Sequence, residues 1–386
     1  MLNLDLNNSI TKKVLSSYKP KIKKAKLSLL KKKHTEFIKL PYEDPKKLIN
    51  EILPLKNKFT DVVVVGIGGS ILGVQMLHEI LYKNSPKTPK FHFIDSIDPN
   101  LVASFEKPLK NKKTLFVFIS KSGNTLETVT AFSLISPLHK PEQIIVITEN
   151  KNGLLYQYAK KKNIKIFEMP KYVCGRYSVF TNAGLIPLTL MGVDVKKLLN
   201  GAKKVETSGI AEKLSSLTHY LYLKKKKTTL ALFPYIDCFE YFNKWTIQLI
   251  AESLGKSSKI GPLPISLKGP QDQHSILQLL LDGPKDKWIL FFELNKFEKD
   301  YILGSLKYSQ ILKAEKIGTE KALTKKKIQN VTISIDKLDE ENLGELIFTF
   351  EIAVALSGEL LKVNPFNQPA VEIGKKITRS LLNERI

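Results

Sequence analysis

The stretch Ile119-Ser120-Lys121-Ser122-Gly123-Asn124-Thr125-Leu126-Glu127-Thr128 indicates both a fold and a site. It follows the apolar run 115–119, which is typical of a buried parallel strand, and it precedes apolar positions that favour a helix. Hydroxyls and backbone N–H groups at a helix N-terminus bind anions, because those N–H groups lack partners and the helix dipole is positive there. The stretch therefore predicts a phosphate cradle, or a plain strand–turn–helix joint capped by Asn124 and Glu127, or both at once.

The same pattern occurs upstream, where the apolar run 61–65 leads into Gly66-Ile67-Gly68-Gly69-Ser70. Strands and helices then alternate to residue 168, which predicts a parallel sheet covered by helices on both faces. Ligands bind such sheets beyond the carboxyl ends of the strands, where both polar turns lie. The glycine turn lacks the G-x-G-x-x-G spacing, because position 71 is Ile, so a nicotinamide cofactor is disfavoured.

A second α/β unit follows the helical region 179–206, with its first clear strand at 228–234 and long helices at 238–253 and 340–361. The predicted fold class is therefore α/β, with two domains that are each a mainly parallel sheet flanked by helices, and with helical extensions at both ends. We place a basic N-terminal arm at 1–43, the first domain at 44–192, the second at 193–363, and a C-terminal segment with a helix at 364–386.

Composition excludes several classes of protein. The net charge of +24 comes from lysines that are spread along 386 residues and mixed with acids, so we favour a lysine-rich surface over nucleic-acid binding. No segment is long and apolar enough to span a membrane. Two cysteines, Cys174 and Cys238, fit a reducing compartment, and we predict a cytoplasmic protein. The six histidines lack metal-ligand spacing, so no metal site is expected.

Four further stretches are unusually polar for their settings. Gly175 and Arg176 form a turn whose backbone and guanidinium can reach one ligand. Glu252 ends an apolar helix, where the negative end of the dipole favours proton uptake, as a general base requires. His274 opens a helix, and Lys375 lies in the C-terminal one. Each of these residues also has an ordinary interpretation. Arg176 can be a surface arginine, Glu252 a helix-terminal acid, His274 a helical histidine and Lys375 a solvated lysine.

Taken together in chain order, these motifs resemble the phosphoglucose isomerase family, whose fold is two sugar-isomerase (SIS) domains. The resemblance runs from about Val62 to Lys375 and is faint over residues 1–43. Each motif alone is weakly specific, but six in family order are strongly specific. They are Gly66–Gly73, Ser120–Thr128, Gly175–Ser178, Glu252–Lys256, Gln273–Ser275 and Gln368–Lys375.

The resemblance implies interconversion of glucose 6-phosphate and fructose 6-phosphate, without a metal or redox cofactor. It places His274 and Lys375 in ring opening, makes Glu252 the base that moves a proton between C2 and C1 through a cis-enediol(ate), and makes Arg176 the stabiliser of that intermediate. It also implies phosphate-binding residues, Ser120, Lys121, Ser122 and Thr125, and residues around the sugar, Gly69, Ser70, Gly175 and Gln368.

In this family the histidine reaches into the partner's site, so the resemblance also implies a homodimer with shared active sites. Cys174 stands where the family usually has a glycine, and Asn367 replaces a common aspartate. Two alternatives stay open at this point: a bifunctional phosphoglucose/phosphomannose isomerase, and a non-catalytic SIS-domain regulator that binds phosphosugars. The partner predicted in every case is a hexose 6-phosphate, with no nucleic acid and no membrane.

Overall fold

The structure, a computed structural model, describes residues 2–7, 9–83, 89–105, 110–111 and 113–382. The predicted C-terminal segment therefore extends beyond the described residues at 383–386, and the predicted N-terminal arm does so at positions 1 and 8. No helix within the described ranges is long and apolar enough to cross a membrane.

The described strands form two five-stranded sheets and one short hairpin. In chain order they are β1 (Leu2–Asp5), β2 (Asp61–Val65), β3 (Lys90–Ile94), β4 (Thr114–Ile119), β5 (Ile144–Thr148), β6 (Lys165–Glu168), β7 (Thr229–Pro234), β8 (Leu263–Ser266), β9 (Lys287–Leu294), β10 (Ile302–Leu303), β11 (Leu306–Lys307) and β12 (Gln329–Ile335).

The described α-helices surround these sheets. They are α1 (Lys12–Ser17), α2 (Lys19–Leu30), α3 (Lys46–Ile52), α4 (Leu72–Leu81), α5 (Pro99–Ser104), α6 (Leu126–Ile135), α7 (Leu154–Lys161), α8 (Asn182–Met191), α9 (Val195–Lys203), α10 (Val205–Ser208), α11 (Ile210–His219), α12 (Glu240–Leu254), α13 (Leu277–Asp282), α14 (Tyr308–Lys325), α15 (Glu340–Leu361) and α16 (Val371–Leu381).

The first sheet has the order β3-β2-β4-β5-β6, and every pairing in it is parallel. Its strands are apolar on both faces, because each face is covered by helices. Val62, Val64 and Ile147 pack with α3 and α8, while Val63 and Phe118 pack with α6 and α7. The strand order reverses direction between β2 and β4, and ligands bind α/β sheets at such a switch point.

The second sheet has the order β1-β12-β9-β7-β8, parallel except for β1, which runs antiparallel to β12. Leu230 and Leu290 face the large core that contains α12 and α15, whereas Phe233 and Phe291 pack against α13 and α14. The two three-layer units confirm the predicted α/β class. The predicted basic arm contains the α-helices α1 and α2, in agreement with the helical extension that the sequence predicts. It also contains the strand β1, which was not predicted and which belongs to the second sheet.

Candidate active site

Two turns meet at the switch point of the first sheet. The glycine turn that follows β2 touches the end of β4, and a Cβ added at Gly66 would lie 3.1 Å from the carbonyl oxygen of Ile119. Ile119 is the last residue of β4, so Ser120 and the turn that follows it start beside the glycine turn. The carboxyl ends of β2 and β4 thus bring together the two motifs that the sequence singled out.

The turn after β4 presents hydroxyls and free backbone donors. Ser120 Oγ lies 2.8 Å from Thr125 Oγ1, and Ser122 Oγ lies 3.4 Å from the same atom. Among the described residues, no protein group accepts from the backbone N–H of Ser122 or Thr125. Thr125 is the N-cap of α6, so these donors lie at the positive end of a helix. The group can bind an anion such as a phosphate.

Asn124 caps a different helix from the predicted one. Its Oδ1 accepts from the backbone N–H of Leu154 at 2.8 Å and so caps the start of α7, whereas Thr125 holds the N-cap position of α6. The prediction of Asn124 as the cap of its own helix was therefore wrong. Gly123 permits this arrangement, because its φ of +67° is unfavourable for other residues and its Cα lies against Gly153.

Lys121 is half-buried beside the same turn. Burial lowers its pKa below the ordinary value for lysine, an effect that Cys174 and Glu149 oppose in part. A bound phosphate would favour the charged form, because an opposite charge nearby raises the pKa of a lysine. The position of Lys121 therefore suits a contact with an anion.

The glycine turn also presses against the turn that carries Arg176. A Cβ at Gly69 would lie 2.3 Å from the carbonyl carbon of Gly175 and 2.5 Å from the backbone nitrogen of Arg176. Ser178 Oγ reinforces this contact by approaching the carbonyl oxygens of Gly69 and Gly175 at 3.2 and 2.7 Å. Only glycine at position 69 allows the two turns to approach this closely.

Arg176 is buried, and every N–H of its guanidinium has an acceptor. Nε donates to Ser253 Oγ at 2.8 Å, and Nη2 donates to the carbonyl oxygens of Pro365 and Asn367 at 2.6 and 3.2 Å. Nη1 donates to Glu252 Oε2 at 2.9 Å and to Gln368 Oε1 at 3.0 Å. Three fixed contacts thus hold the guanidinium, and Nη1 faces the polar side chains of the predicted site.

Glu252 lies near the C-terminal end of α12, where its two oxygens have different neighbours. Oε2 accepts from Arg176, and Oε1 accepts from Gln248 Nε2 at 3.0 Å. Gln248 in turn lies against the glycine turn, since a Cβ at Gly68 would be 2.8 Å from its Nε2. The side chain of Glu252 is about one-third exposed, so a ligand can reach it.

Lys256 joins the end of α12 to the C-terminal segment. Its ammonium donates to the carbonyl oxygens of Glu252 and Asn367. Burial, together with the nearby charge of Arg176, lowers the pKa of Lys256 to about 8. The contacts at Asn367 use the backbone alone, so the asparagine in place of an aspartate leaves them intact.

Cys174 fits its turn without strain. Its φ of −82° and ψ of 156° are ordinary extended values that any L-residue adopts. The departure from glycine at this position therefore leaves the backbone of the Arg176 turn unaffected.

Among the described residues, neither His274 nor Lys375 contacts Glu252. His274 is exposed at the end of the short turn Gln271–His274, and it has no side-chain hydrogen bond among the described residues. Lys375 is exposed on α16 and pairs with Glu372 at 2.7 Å. Ser70 lies in the glycine turn, half-buried, close to Gly66.

Sequence reasoning missed several groups that support the site. Ser253 and Gln248 bind the two catalytic candidates directly. Ser253 lay inside the motif Glu252–Lys256 with no role assigned to it, and Gln248 was a plain helix residue in the sequence. Glu351 of α15 is fully buried near Tyr177, and neither carboxyl oxygen has a hydrogen-bond partner among the described residues. Burial raises the pKa of Glu351 well above its ordinary value, because the charged form is poorly solvated there. The helical period of Gln248 and Glu252, four residues apart, was the available signal for Gln248.

Comparisons with known proteins identify the family. A family model described as phosphoglucose isomerase matches residues 55–291. The chain is 38% identical to a glucose-6-phosphate isomerase of Methanocaldococcus jannaschii over 348 residues, which cover 85% of this chain and 86% of that protein.

Solved structures show the same fold. A hypothetical protein from Thermus thermophilus superposes with a TM-score of 0.89 at 28% identity, over 99% of this chain and 100% of that one. A glucose-6-phosphate isomerase from Chlamydia trachomatis superposes with a TM-score of 0.79 at 22% identity, over 91% of this chain and 74% of that one, and so supports the fold alone.

Proposed function

The chain belongs to the phosphoglucose isomerase family, and from that premise we propose which of its residues act on the substrate. The activity is the aldose–ketose isomerisation of glucose 6-phosphate to fructose 6-phosphate. Each turnover opens the sugar ring, moves a proton between C2 and C1, and closes the ring again. The protein therefore has to hold the phosphate, supply a base at C1 and C2, and stabilise the charge of the intermediate.

The turn after β4 binds the phosphate in this proposal. Ser120, Ser122 and Thr125 supply hydroxyls, α6 supplies the N-terminal donors, and Lys121 supplies a positive charge. The phosphate takes no part in the chemistry, so its binding energy can be used to fix C1 and C2 in place. Gly69, Ser70, Gly175 and Gln368 then line the sugar.

Glu252 is the base and Arg176 is the electrostatic stabiliser. The carboxylate takes the proton from C2 of the open-chain aldose, which leaves a cis-enediolate with its charge on O1. The hydroxyl proton of O2 then passes to O1, and the carboxyl group of Glu252 returns its proton to C1, which leaves the ketone at C2. The Nη1 edge of Arg176 faces the charge that forms, and its other nitrogens are fixed before the reaction starts. A preorganised donor of this kind is worth about 3 kcal/mol in the transition state.

The observation that carries this assignment is the 2.9 Å contact between Arg176 Nη1 and Glu252 Oε2. The other N–H groups of the guanidinium also have acceptors, so its position is fixed. The test is a coupled assay with glucose 6-phosphate, fructose 6-phosphate and mannose 6-phosphate on the wild type and on Glu252→Gln. We expect the variant to lose about 10²–10⁴-fold in kcat, since a positioned base contributes that much. Calorimetric titration should show that it still binds the sugar phosphates.

Glu240→Gln is the matched control, because Glu240 opens the same helix and its exposed carboxylate pairs only with Lys244 among the described residues. It should keep the wild-type rate. Near-normal turnover by Glu252→Gln would exclude Glu252 as the base. Comparable wild-type turnover of mannose 6-phosphate would instead identify a bifunctional enzyme.

We also propose that the protein is a homodimer in which His274 reaches into the partner's site, and that His274 and Lys375 take part in ring opening. His274 is exposed, and no described residue of its own subunit bonds to its side chain. The helix α16, which carries Lys375, has no buried residue, and it exposes a stripe formed by Ile373, Ile377 and Leu381. Exposed apolar stripes are typical of interaction surfaces.

A complementation experiment tests the shared site. Glu252→Gln and His274→Ala should each be nearly inactive alone. After subunit exchange, half of the dimers are mixed, and each mixed dimer contains one site with both residues intact. The mixture should therefore recover about a quarter of wild-type activity if the interface is isologous. No recovery, with exchange verified by mass spectrometry, would mean that His274 acts in its own subunit or not at all.

The proposed location is the cytoplasm, as the sequence predicts, and the free thiols of Cys174 and Cys238 are compatible with a reducing compartment. Fractionation of the source cells, followed by the isomerase assay on each fraction, checks this location.

A further inference from the structure

A basic groove lies between the N-terminal arm and the end of α15. It has a volume of about 920 Å³. Five lysines line it together with one carboxylate: Lys21, Lys24, Lys32, Lys33, Lys362 and Glu359. We call this feature the basic groove. None of these residues belongs to the proposed isomerase site.

The single carboxylate leaves most of this charge uncompensated. Glu359 is occupied, because Lys32 forms an ion pair with it and Ser28 donates to it at 2.8 Å. Among the described residues, no carboxylate pairs with the other four lysines. A cleft lined by one sign of charge concentrates counter-ions and lowers the cost of binding them. The groove is therefore built to hold negative charge from solution.

The arrangement suits a chain of phosphates better than a single one. Lys21 and Lys24 lie one turn apart on one face of α2, and Lys32 and Lys33 follow the end of that helix. The stretch of α2 from Lys21 to Leu30 alone is about 14 Å long, at 1.5 Å per residue. The groove volume is also that of a pocket for a whole small molecule.

The groove also has an apolar part. Leu360 and Phe366 line it, and the ring of His34 stacks on Phe366 with centroids 6.1 Å apart and planes 22° apart. Such a surface can receive the base of a nucleotide. An extended single strand of nucleic acid would need a row of aromatic platforms rather than one ring pair.

We propose that the basic groove is a second anion site, which binds a chain of three or more phosphates. Inorganic tripolyphosphate and a nucleoside triphosphate share that chemistry. The groove borders the isomerase site, because the carbonyl groups on either side of Phe366 bind Arg176. Binding to the groove therefore has to be measured with the phosphate cradle already filled.

The experiment is calorimetric titration of tripolyphosphate into the full chain, in an equilibrated mixture of glucose 6-phosphate and fructose 6-phosphate at saturating concentration. The groove variant is Lys21→Ala with Lys24→Ala. The matched control is Lys19→Ala with Lys23→Ala, which removes the same charge from exposed positions on the same helix outside the groove. Parallel titrations use ATP, inorganic phosphate and a single-stranded oligonucleotide.

We expect one tripolyphosphate per chain, with an affinity that falls at least about tenfold in the groove variant and stays unchanged in the control. A tenfold loss corresponds to about 1.4 kcal/mol. Tighter binding of ATP than of tripolyphosphate would assign the apolar part of the groove to the base. Equal weakening by both variants would reduce the effect to general surface charge, and would overturn the proposal. So would binding of inorganic phosphate as tight as tripolyphosphate, tighter binding of the oligonucleotide, or no binding of tripolyphosphate.

Discussion

Replacing Gly69 by alanine tests whether the isomerase depends on the close contact between two backbone turns. The added Cβ would meet the Gly175 carbonyl carbon at 2.3 Å, whereas ordinary contacts begin at 3.4 Å. The atoms that it meets belong to the backbone, so they cannot rotate away, and the two turns must separate by about 1 Å. Because Gly175 precedes Arg176, this movement displaces the guanidinium that faces Glu252.

A displacement of 1 Å costs about 10²-fold in rate, which is about 2.7 kcal/mol in the barrier. We therefore expect kcat of Gly69→Ala to fall about 100-fold. The residues proposed to bind the phosphate lie on a different turn, the one after β4, so the affinity for the sugar phosphates should change little. The assay couples glucose 6-phosphate formation to its dehydrogenase and follows NADPH, and calorimetry gives the affinity.

Gly318→Ala is the control, because a Cβ at Gly318 would meet no atom within 4 Å and the residue lies inside α14. Alanine is favoured over glycine there by about 1 kcal/mol, so activity should be unchanged and thermal stability equal or higher. The reasoning fails if folded Gly69→Ala keeps kcat within about threefold of the wild type.

Three further predictions concern groups around the same site. Ser253→Ala removes the acceptor of the buried Nε–H of Arg176, so urea titration should show a loss of about 1–3 kcal/mol in the free energy of unfolding; an unchanged midpoint would contradict this. Lys256 has a pKa of about 8 when folded and 10.5 as its ordinary value, so the unfolded state binds more protons between these pH values and stability should rise with pH across that window. Lys256→Met should lack this rise. If the free energy of unfolding, measured by urea titration, changes with pH in the same way in both proteins, the effect is excluded. Burial raises the pKa of Glu351 above its ordinary 4.5, so wild-type stability should fall relative to Glu351→Gln as the pH rises from about 4.5 to 7. A gap between the two proteins that is independent of pH would show that Glu351 does not titrate differently on folding.

Much of the fold was predictable because hydrophobic periodicity is a local signal. The alternation over residues 61–168 predicted the parallel sheet, and the long apolar helix α15 was placed at Glu340–Leu361, its observed bounds. The strand β1 was not predicted, since four residues carry little pattern and their partner, β12, is more than 300 residues away in sequence. The amphipathic helix α14 also went unpredicted in a lysine-rich region.

The sequence motifs were enough to name the residues of the candidate site. They did not predict which of these residues contact one another. The sequence named Arg176, Glu252 and Gln368 separately, and the structure joins all three through one nitrogen atom. No sequence pattern indicates that the carbonyl groups around Phe366 bind Arg176, because backbone groups are the same at every residue. The prediction for Asn124 was wrong for a related reason. A cap is recognised from neighbouring residues in the sequence, but Asn124 Oδ1 accepts from the N–H of Leu154, in a helix that starts 30 residues later.

The pairing of β1 with β12 links the order of synthesis to the order in which the sheets close. The strands of the first sheet all lie between residues 61 and 168, so that sheet can form while the later part of the chain is still on the ribosome. The strand β1 emerges earlier than any of them, yet Leu2 pairs with Ile335, and its N–H donates to Glu345. Until β12 appears, β1 carries unpaired backbone groups of the kind that recruit other strands. The strand β1 is thus made before the whole first sheet, but it can pair only after β12 has been made.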